Sequence, residues 1–347
     1  MKNLKLIGFL MILASSLMFI QCTSDPIEGP QGLAGIDGID GVNGVDGVNG
    51  VDGTASCVAC HSESHRAPIN DSYAKSGHAA GGAVAYAGSR DSCSRCHSNE
   101  GHINYMTGKP AVAIANPTAI SCTTCHSKHS TFDFENDGHD YALRNIAPVA
   151  LDQTDNTVVL DYGDSSNSCV SCHQPRSKAP VDDGTGMYLQ ANSRFYPHYG
   201  GQSTMLEGIQ GSFIEGGSTA YPGVGSAAHR KGASCVTCHM GASTDSGEKG
   251  MHTFKASFTA PICKTCHTTV PTEVAGLADD MAALKAKLLA LGMIDAAGNT
   301  IVQTTKVPFK TAQALWNYKT VEEDHSHGVH NPKYAKALIK NALEAVQ

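Results

Sequence analysis

Large aromatic side chains are scarce in this sequence of 347 residues, which has 1 Trp and 9 Phe against 36 Gly and 14 Pro. A chain of that length normally builds an apolar core, and this one is poorly supplied for it. Positive charge is also short. Lys and Arg number 25 against 32 Asp and Glu, a formal net charge of −7, which argues against nucleic acid as a partner. The N-terminus holds an apolar stretch, Leu6 to Ile20, behind the basic Lys2 and Lys5. That reads as a secretory signal peptide over residues 1–21, too short and wrongly flanked for a membrane span. No cysteine is left over for a disulfide framework in the folded part, because 12 of the 13 fall in one repeated motif.

That motif is C-x-x-C-H, and it occurs six times. The copies are Cys57/Cys60/His61, Cys93/Cys96/His97, Cys122/Cys125/His126, Cys169/Cys172/His173, Cys235/Cys238/His239 and Cys263/Cys266/His267. The spacing is that of c-type haem attachment. Two thiols three residues apart add to the two haem vinyl groups as thioethers. The next residue, His, is placed to ligate the iron from one face. Zinc sites also use C-x-x-C pairs, but zinc does not explain a His directly after every second Cys. An oxidoreductase dithiol does not need six copies. The expected cofactors are therefore six c-type haems with their iron.

The remaining cysteine, Cys22, sits where a lipoprotein signal is cleaved and would carry the lipid. The preceding Phe19, Ile20 and Gln21 depart from the usual small residues, so ordinary cleavage nearby or an uncleaved anchor are the alternatives. Export is the firmer expectation, because bacteria attach haem covalently outside the cytoplasm. Multiple acyl chains on Cys22 would hold the protein stably on a membrane, in the periplasm or on the cell surface.

Residues 22–54 form the next segment, a candidate lipid-anchored stalk. From Gly29 to Gly53 every third residue is Gly, with mostly Ile or Val and then mostly Asp or Asn between. Period three with Gly is the collagen pattern, because only Gly fits the triple-helix axis. Pro30 is the only proline in the run, so a triple helix of this length would be weakly stable. An extended tether is one expectation. A collagen-like stem that makes a homotrimer is the other.

Residues 55–347 form the hexahaem domain, with about 50 residues for each haem. The fold class expected is mainly α with long irregular loops: a multihaem cytochrome c wrapped around a haem core, with C-terminal helices. The haems take the place of an apolar core. Sheet is expected to be almost absent, with a short strand at Val158, Val159 and Leu160. Val274, Leu277, Met281, Leu284, Leu288 and Leu291 make one apolar helical stripe, stopped by Gly292. A second helix covers Thr311 to Val321 around Trp316. A third has Asn331 as N-cap, Pro332 at its first position, and runs from Tyr334 to Val346.

Each iron has a second axial position. Of the 17 His, eleven lie outside the motifs: His65, His78, His102, His129, His139, His198, His229, His252, His325, His327 and His330. Six would saturate every iron, and spacing alone does not choose them.

Several short segments narrow the choice by resemblance. They are Ser76-Gly77-His78-Ala79, His129 three residues after His126, Arg176 after the fourth motif, Pro197-His198, Met240 after the fifth motif, His252-Thr253-Phe254, and Gly328-Val329-His330-Asn331-Pro332. With these, most of the mature chain resembles the multihaem cytochromes c related to hydroxylamine oxidoreductase, cytochrome c nitrite reductase and the tetrahaem cytochromes of ammonia oxidisers. The resemblance implies His78, His129, His198, His229, His252 and His330 as distal ligands. It also shows departures. The C-x-x-C-K site of nitrite reductase has no counterpart here. The tyrosine crosslink of hydroxylamine oxidoreductase has no position that can be assigned. His65, His102, His139, His325 and His327 are spare, and the last two lie close enough to His330 to replace it.

Two imidazoles on each iron leave no place for substrate and hold the potential below that of His/Met ligation. This favours an electron carrier over an enzyme. The partners expected are redox proteins that dock transiently, their basic faces steered by the negative charge. A reductase of nitrite, hydroxylamine or a sulfur oxyanion would need one open haem, with Arg176, Arg194, Tyr196 and Tyr199 the nearest helpers. A subunit of an extracellular conducting assembly is the third reading, supported by the Gly-X-Y run. Cys93 to Cys122 and Cys235 to Cys263 are the shortest motif separations, which predicts neighbouring haems there.

Two outcomes are expected. The mature protein gains the mass of six haems, resistant to acid-acetone extraction; bound zinc without covalent haem would sink the reading. Deleting Gly29 to Gly53 leaves haem content unchanged, and sedimentation before and after deletion separates a tether from a trimerising stem.

Overall fold

The computed structural model describes residues 55–137, 140–152, 157–163, 165–242 and 247–347. The signal segment, Cys22, the Gly-X-Y run and His139 lie outside the described residues.

Short helices carry the motifs: Ala55–His61, Asp91–His97, Cys122–Cys125, Ser166–Val170 and Cys235–His239, with a 3-10 turn at Pro261–Thr265. One helical turn is what the motif needs, since residues three apart then share a face. Nothing in these segments favours a longer helix. They are rich in Ser, Thr and Cys, which prefer caps and turns to helix interiors. Side-chain caps set some of the boundaries. Ser121 opens the third motif with a capping box to Thr124, and Ser98 accepts from Gly101 N at 3.2 Å to start Asn99–Met106. Asn99 then fastens the third motif to the second, its Oδ1 accepting from Thr124 Oγ1 at 2.7 Å and from Ser121 Oγ at 3.1 Å.

Among the described residues, sheet is confined to two antiparallel pairs of two residues each. Val149–Ala150 pairs with Val159–Leu160, and Met187–Tyr188 with Val307–Pro308. The expected strand is thus present at Val159–Leu160. The pair closes a small apolar cluster of Val149, Leu151, Leu160, Tyr162, Val170 and Leu206. Val170 belongs to the fourth motif, so that motif is anchored in apolar packing. Asn167 beside it is fully buried, donating to Ile146 O at 2.9 Å and accepting from Tyr162 N at 2.9 Å.

The C-terminal third is different in kind. Helices Leu277–Ala290, Phe309–Glu323 and Pro332–Ala345 pack on one another. Gly292, at φ +67°, follows the first of them and lets the chain leave in the left-handed region. Asn331 caps the third, accepting from Tyr334 N at 3.2 Å, with Pro332 in its first turn. The second begins earlier than Thr311 and is buried on nearly every side. Gln313, Trp316 and Asn317 of this helix are satisfied by the loop at 210–213. Asn317 accepts from Ser212 N at 2.7 Å and donates to Ser212 O at 2.9 Å, and Trp316 Nε1 donates to Gln210 O at 3.1 Å.

Around these helices lies an apolar core that includes Met205, Leu284, Leu288, Leu315, Trp316 and Leu338. The expectation that haems take the place of an apolar core fails for the C-terminal part. The C-terminal part builds an ordinary core from Leu, Ile, Ala and Met, which the low Phe and Trp count concealed. Leu338 is fully buried and Gly211 packs directly on it, so Leu338→Ala leaves a cavity. It should cost about 2–5 kcal/mol, seen as a lower midpoint in denaturant with the haem spectrum of the folded protein unchanged.

Candidate haem-binding sites

The six motif histidines each face one other histidine ring. Ring centroids lie 6.0 Å apart for His61 and His129, 6.0 Å for His97 and His198, and 6.3 Å for His126 and His252. They lie 6.2 Å apart for His173 and His78, 6.2 Å for His239 and His330, and 6.1 Å for His267 and His229. These are sites 1, 2 and 3, then 4, 5 and 6, in motif order.

The separation has a direct chemical meaning. An imidazole nitrogen lies about 2 Å from a metal it ligates and about 1.1 Å from its own ring centre, so two imidazoles on opposite sides of one metal have centroids about 6.2 Å apart. Six pairs at that spacing fit six irons, each between two rings. Zinc would instead gather four ligands around a point, and among the described residues no group of three or more His, Cys, Asp or Glu converges in that way.

Protonation at six of the twelve rings and hydrogen bonding agree with ligand roles, while at His330 the lowering effect of burial is outweighed by the Asp324 carboxylate, which raises the ring. Burial pushes His78 down to about 4, with His173 nearby adding to the shift. His198 also falls to about 4, first by burial and then through Arg176, His97 and Arg194. Burial likewise lowers His97, His173, His239 and His252. These rings are neutral at pH 7, which is the form that binds metal. Several rings have Nδ1 engaged, leaving Nε2 toward the paired ring. His126 Nδ1 meets Tyr141 O at 2.8 Å, His229 meets Val329 O at 2.6 Å and His239 meets Phe254 O at 2.9 Å. His173 Nδ1 meets Gln202 Oε1 at 3.1 Å. Carboxylates take this place at two sites: Asp140 at 2.6 Å from His129 and Asp324 at 2.7 Å from His330.

His198 adopts φ +83°, a conformation rare for a residue with a side chain. Such strain persists only where the surroundings impose it, and it concentrates at functional positions.

The sites are close to one another. A cavity of about 2400 Å³ is lined by both histidines of sites 2, 4, 5 and 6. Cys96 of site 2 lies close against Cys172 of site 4, and Cys235 of site 5 against Cys169 of site 4. Cys125 of site 3 is hydrogen-bonded to Ser168, next to Cys169. Cys238 of site 5 lies within electrostatic reach of Cys263 of site 6. The helix of the fifth motif is tied to that of the fourth through Val236 N and Ser166 Oγ at 3.2 Å. The Phe254 ring stands 4.8 Å from His78 and 5.7 Å from His252, between sites 4 and 3.

Site 4 is therefore the meeting point. Sites 5 and 6 adjoin as their short sequence separation predicts. The motif of site 2 adjoins that of site 3 through Asn99, as their short sequence separation predicts, and also lies against that of site 4 through Cys96.

The helper residues around the fourth motif also fall elsewhere. Arg176 Nη1 is 3.5 Å from Cys93 Sγ and its charge acts on His97 and His198, which puts it at site 2. Tyr196 and Tyr199 face each other at 5.3 Å beside His198. Of the spare histidines, His102 is buried with Nδ1 on Arg95 O at 2.8 Å and 3.5 Å from Cys172 Sγ. His325 and His327 line the cavity near His330 but pair with no motif histidine. What sequence reading did not find is the supporting shell. Asp140 and Asp324 carry no motif signal; only their spacing to a ligand His, seen afterward, marks them.

No protein-family model matches the chain. The chain is 24% identical over 225 residues to the C-type polyheme cytochrome OmcB of Geobacter sulfurreducens, covering 52% of this chain and 29% of the relative, in both strains compared. The chain thus spans under a third of the length of those curated relatives. Its fold is similar to the crystal structure of the outer cell wall cytochrome OcwA, with a TM-score of 0.51 and 21% identity over 80% of this chain and 50% of that one. In fold and in its C-x-x-C-H motifs the chain is similar to multihaem c-type cytochromes. The relatives are similar proteins of that kind and none of them is this protein.

Proposed function

We propose that the chain carries electrons through six covalently attached c-type haems, each held by two histidines. The six paired rings, all at one separation, support this most directly. In this reading the proximal ligands are His61, His97, His126, His173, His239 and His267, and the distal ligands in the same order are His129, His198, His252, His78, His330 and His229. Bound haem supplies reversible one-electron chemistry between ferric and ferrous iron. The chain's own work is to hold each pair of rings so that the coordination number is the same in both oxidation states. It also crowds the cysteine sulfurs of adjacent sites together, so that electrons have short steps.

Every motif histidine has a second ring opposite it, which favours a carrier over a reductase with one open iron. The distal positions are also those implied by the resemblance to the hydroxylamine oxidoreductase and nitrite reductase group, and that kinship is part of the proposal. So is the location. The signal segment and Cys22 support export and lipid anchoring, and the description of the structural relative as an outer cell wall cytochrome supports a place outside the cytoplasm. The Gly-X-Y run serves there as a stalk between anchor and head, and redox proteins are the partners.

The test is spectroscopic. All haems of the wild-type protein should be low-spin, and its ferrous form should not bind carbon monoxide. His198→Ala should make one haem high-spin and open to carbon monoxide while the other five keep their spectra. A wild-type protein that already has a high-spin haem and turns over nitrite or hydroxylamine would replace the carrier by the enzyme.

A further inference from the structure

The six paired sites are alike in their rings and unlike in what holds the rings. At most sites where the outer nitrogen is engaged, its partner is neutral: the carbonyls of Tyr141, Val329 and Phe254, or the amide oxygen of Gln202. His252 Nδ1 is buried and has no hydrogen-bond partner among the described residues. Among the described residues, only His129 and His330 of these rings have a carboxylate there, at 2.6 and 2.7 Å.

Both carboxylates are built into their positions. The Asp324 side chain is 1% exposed. Its Oδ1 meets His330 Nδ1, and its Oδ2 accepts from Ser326 Oγ. Ser326 Oγ in turn accepts from His330 N at 3.2 Å, which closes the ring of contacts. Asp140 Oδ1 meets His129 Nδ1 and accepts from Ala142 N at 3.0 Å, while its Oδ2 accepts from Ser130 N and from Ser130 Oγ at 2.7 Å. Each carboxylate is thus fixed by three further donors or by burial, and each spends one oxygen on the histidine.

A carboxylate that accepts the Nδ1 proton of a metal-bound imidazole raises the basicity of that imidazole. A more basic ligand, with a negative charge behind it, favours ferric over ferrous iron, and hydrogen bonding to the ligands is one of the levers that set haem potential. A carbonyl does the same more weakly, and a ring without an acceptor least of all.

We propose that Asp324 and Asp140 are positioning residues that make the haems of sites 5 and 1 the two of lowest potential among the six. The inference rests on the two-histidine reading of the sites. Its consequence is a graded path. Site 5 lies between sites 4 and 6, so an electron passing between them climbs at the Asp324 haem. Site 1 is the other high step, with exposed His61 and Cys60 beside it.

The test uses the haem-loaded full chain, titrated spectroelectrochemically with electron paramagnetic resonance of each low-spin signal. Asp324→Asn keeps the shape and removes the charge. At a fixed applied potential it should raise the ferrous-to-ferric ratio of one low-potential haem by about tenfold, equivalent to about 59 mV for one electron. The other five should be unchanged and all six low-spin. Asp140→Asn should do the same to a different haem, and Asp324→Glu should restore the lower potential. If both Asn variants keep six low-spin haems with unaltered titrations, the proposal fails and the two-histidine reading stands. If Asp324→Asn turns a haem high-spin and Asp140→Asn moves nothing, the carboxylates only hold the rings, and the proposal fails again. If the wild-type protein lacks six low-spin haems, the underlying reading fails first and takes the proposal with it.

Discussion

The constraint on which the N-terminal part of this fold depends is the distance between paired imidazoles, which is the distance two rings would take on opposite sides of one metal. It fixes six ring separations within 6.0 to 6.3 Å. Every such pair joins segments that are distant in sequence, such as His126 with His252 or His239 with His330. Closing loops of that size costs conformational entropy that grows slowly with length, and long irregular loops are then tolerable between fixed points. This explains how a segment with so little regular structure holds one arrangement. Metal ligation couples to folding, since a preformed site rarely exists in the unfolded chain.

The C-terminal part obeys a different rule. Three helices bury Leu284, Leu315, Trp316 and Leu338 in a core that needs no cofactor. It serves the sites by delivering two elements from firm ground. Asp324 follows the end of Phe309–Glu323, and His330 stands just before the cap of Pro332–Ala345. Asn331, fully engaged as N-cap and with its Nδ2 on Leu206 O at 3.4 Å, fixes the backbone next to His330. Packing of ordinary apolar residues thus sets the position of a ring and of the carboxylate behind it.

How much of this could be read from the sequence divides along the same line. The motif cysteines and histidines were legible because the chemistry demands adjacent residues in the chain. The C-terminal helices were legible in part. Leu277, Leu284 and Leu288 repeat at helical spacing, and Asn331-Pro332 marks a start. The second of these helices was blurred because it is buried on all sides, with Asn317 and Gln313 satisfied by a distant loop. Which ring faces which motif was not legible, because the pairing is a product of tertiary contact. Asp140 and Asp324 were hidden for the same reason. Each is an ordinary acidic residue until the fold sets it beside a ring.

Site 4 shows how the two parts work together. Its motif helix is anchored by Val170 and Asn167 in an apolar cluster that also holds Leu206. Leu206 O receives the Asn331 side chain from the C-terminal helix. His173 is tied through Gln202, whose Nε2 reaches the carbonyls of Glu323 and Asp324 at 3.5 Å. The best-buried motif is thus linked to the ordinary core from two directions, and the sulfurs of sites 2 and 5 are held against it. An electron carrier must change its iron's charge without rearranging what surrounds the iron, since any rearrangement adds to the barrier of each step. A junction of sites is best placed where packing is tightest, because there the cost of moving a side chain is highest. Cys60 and His61 of the first motif face solvent instead, away from that packing.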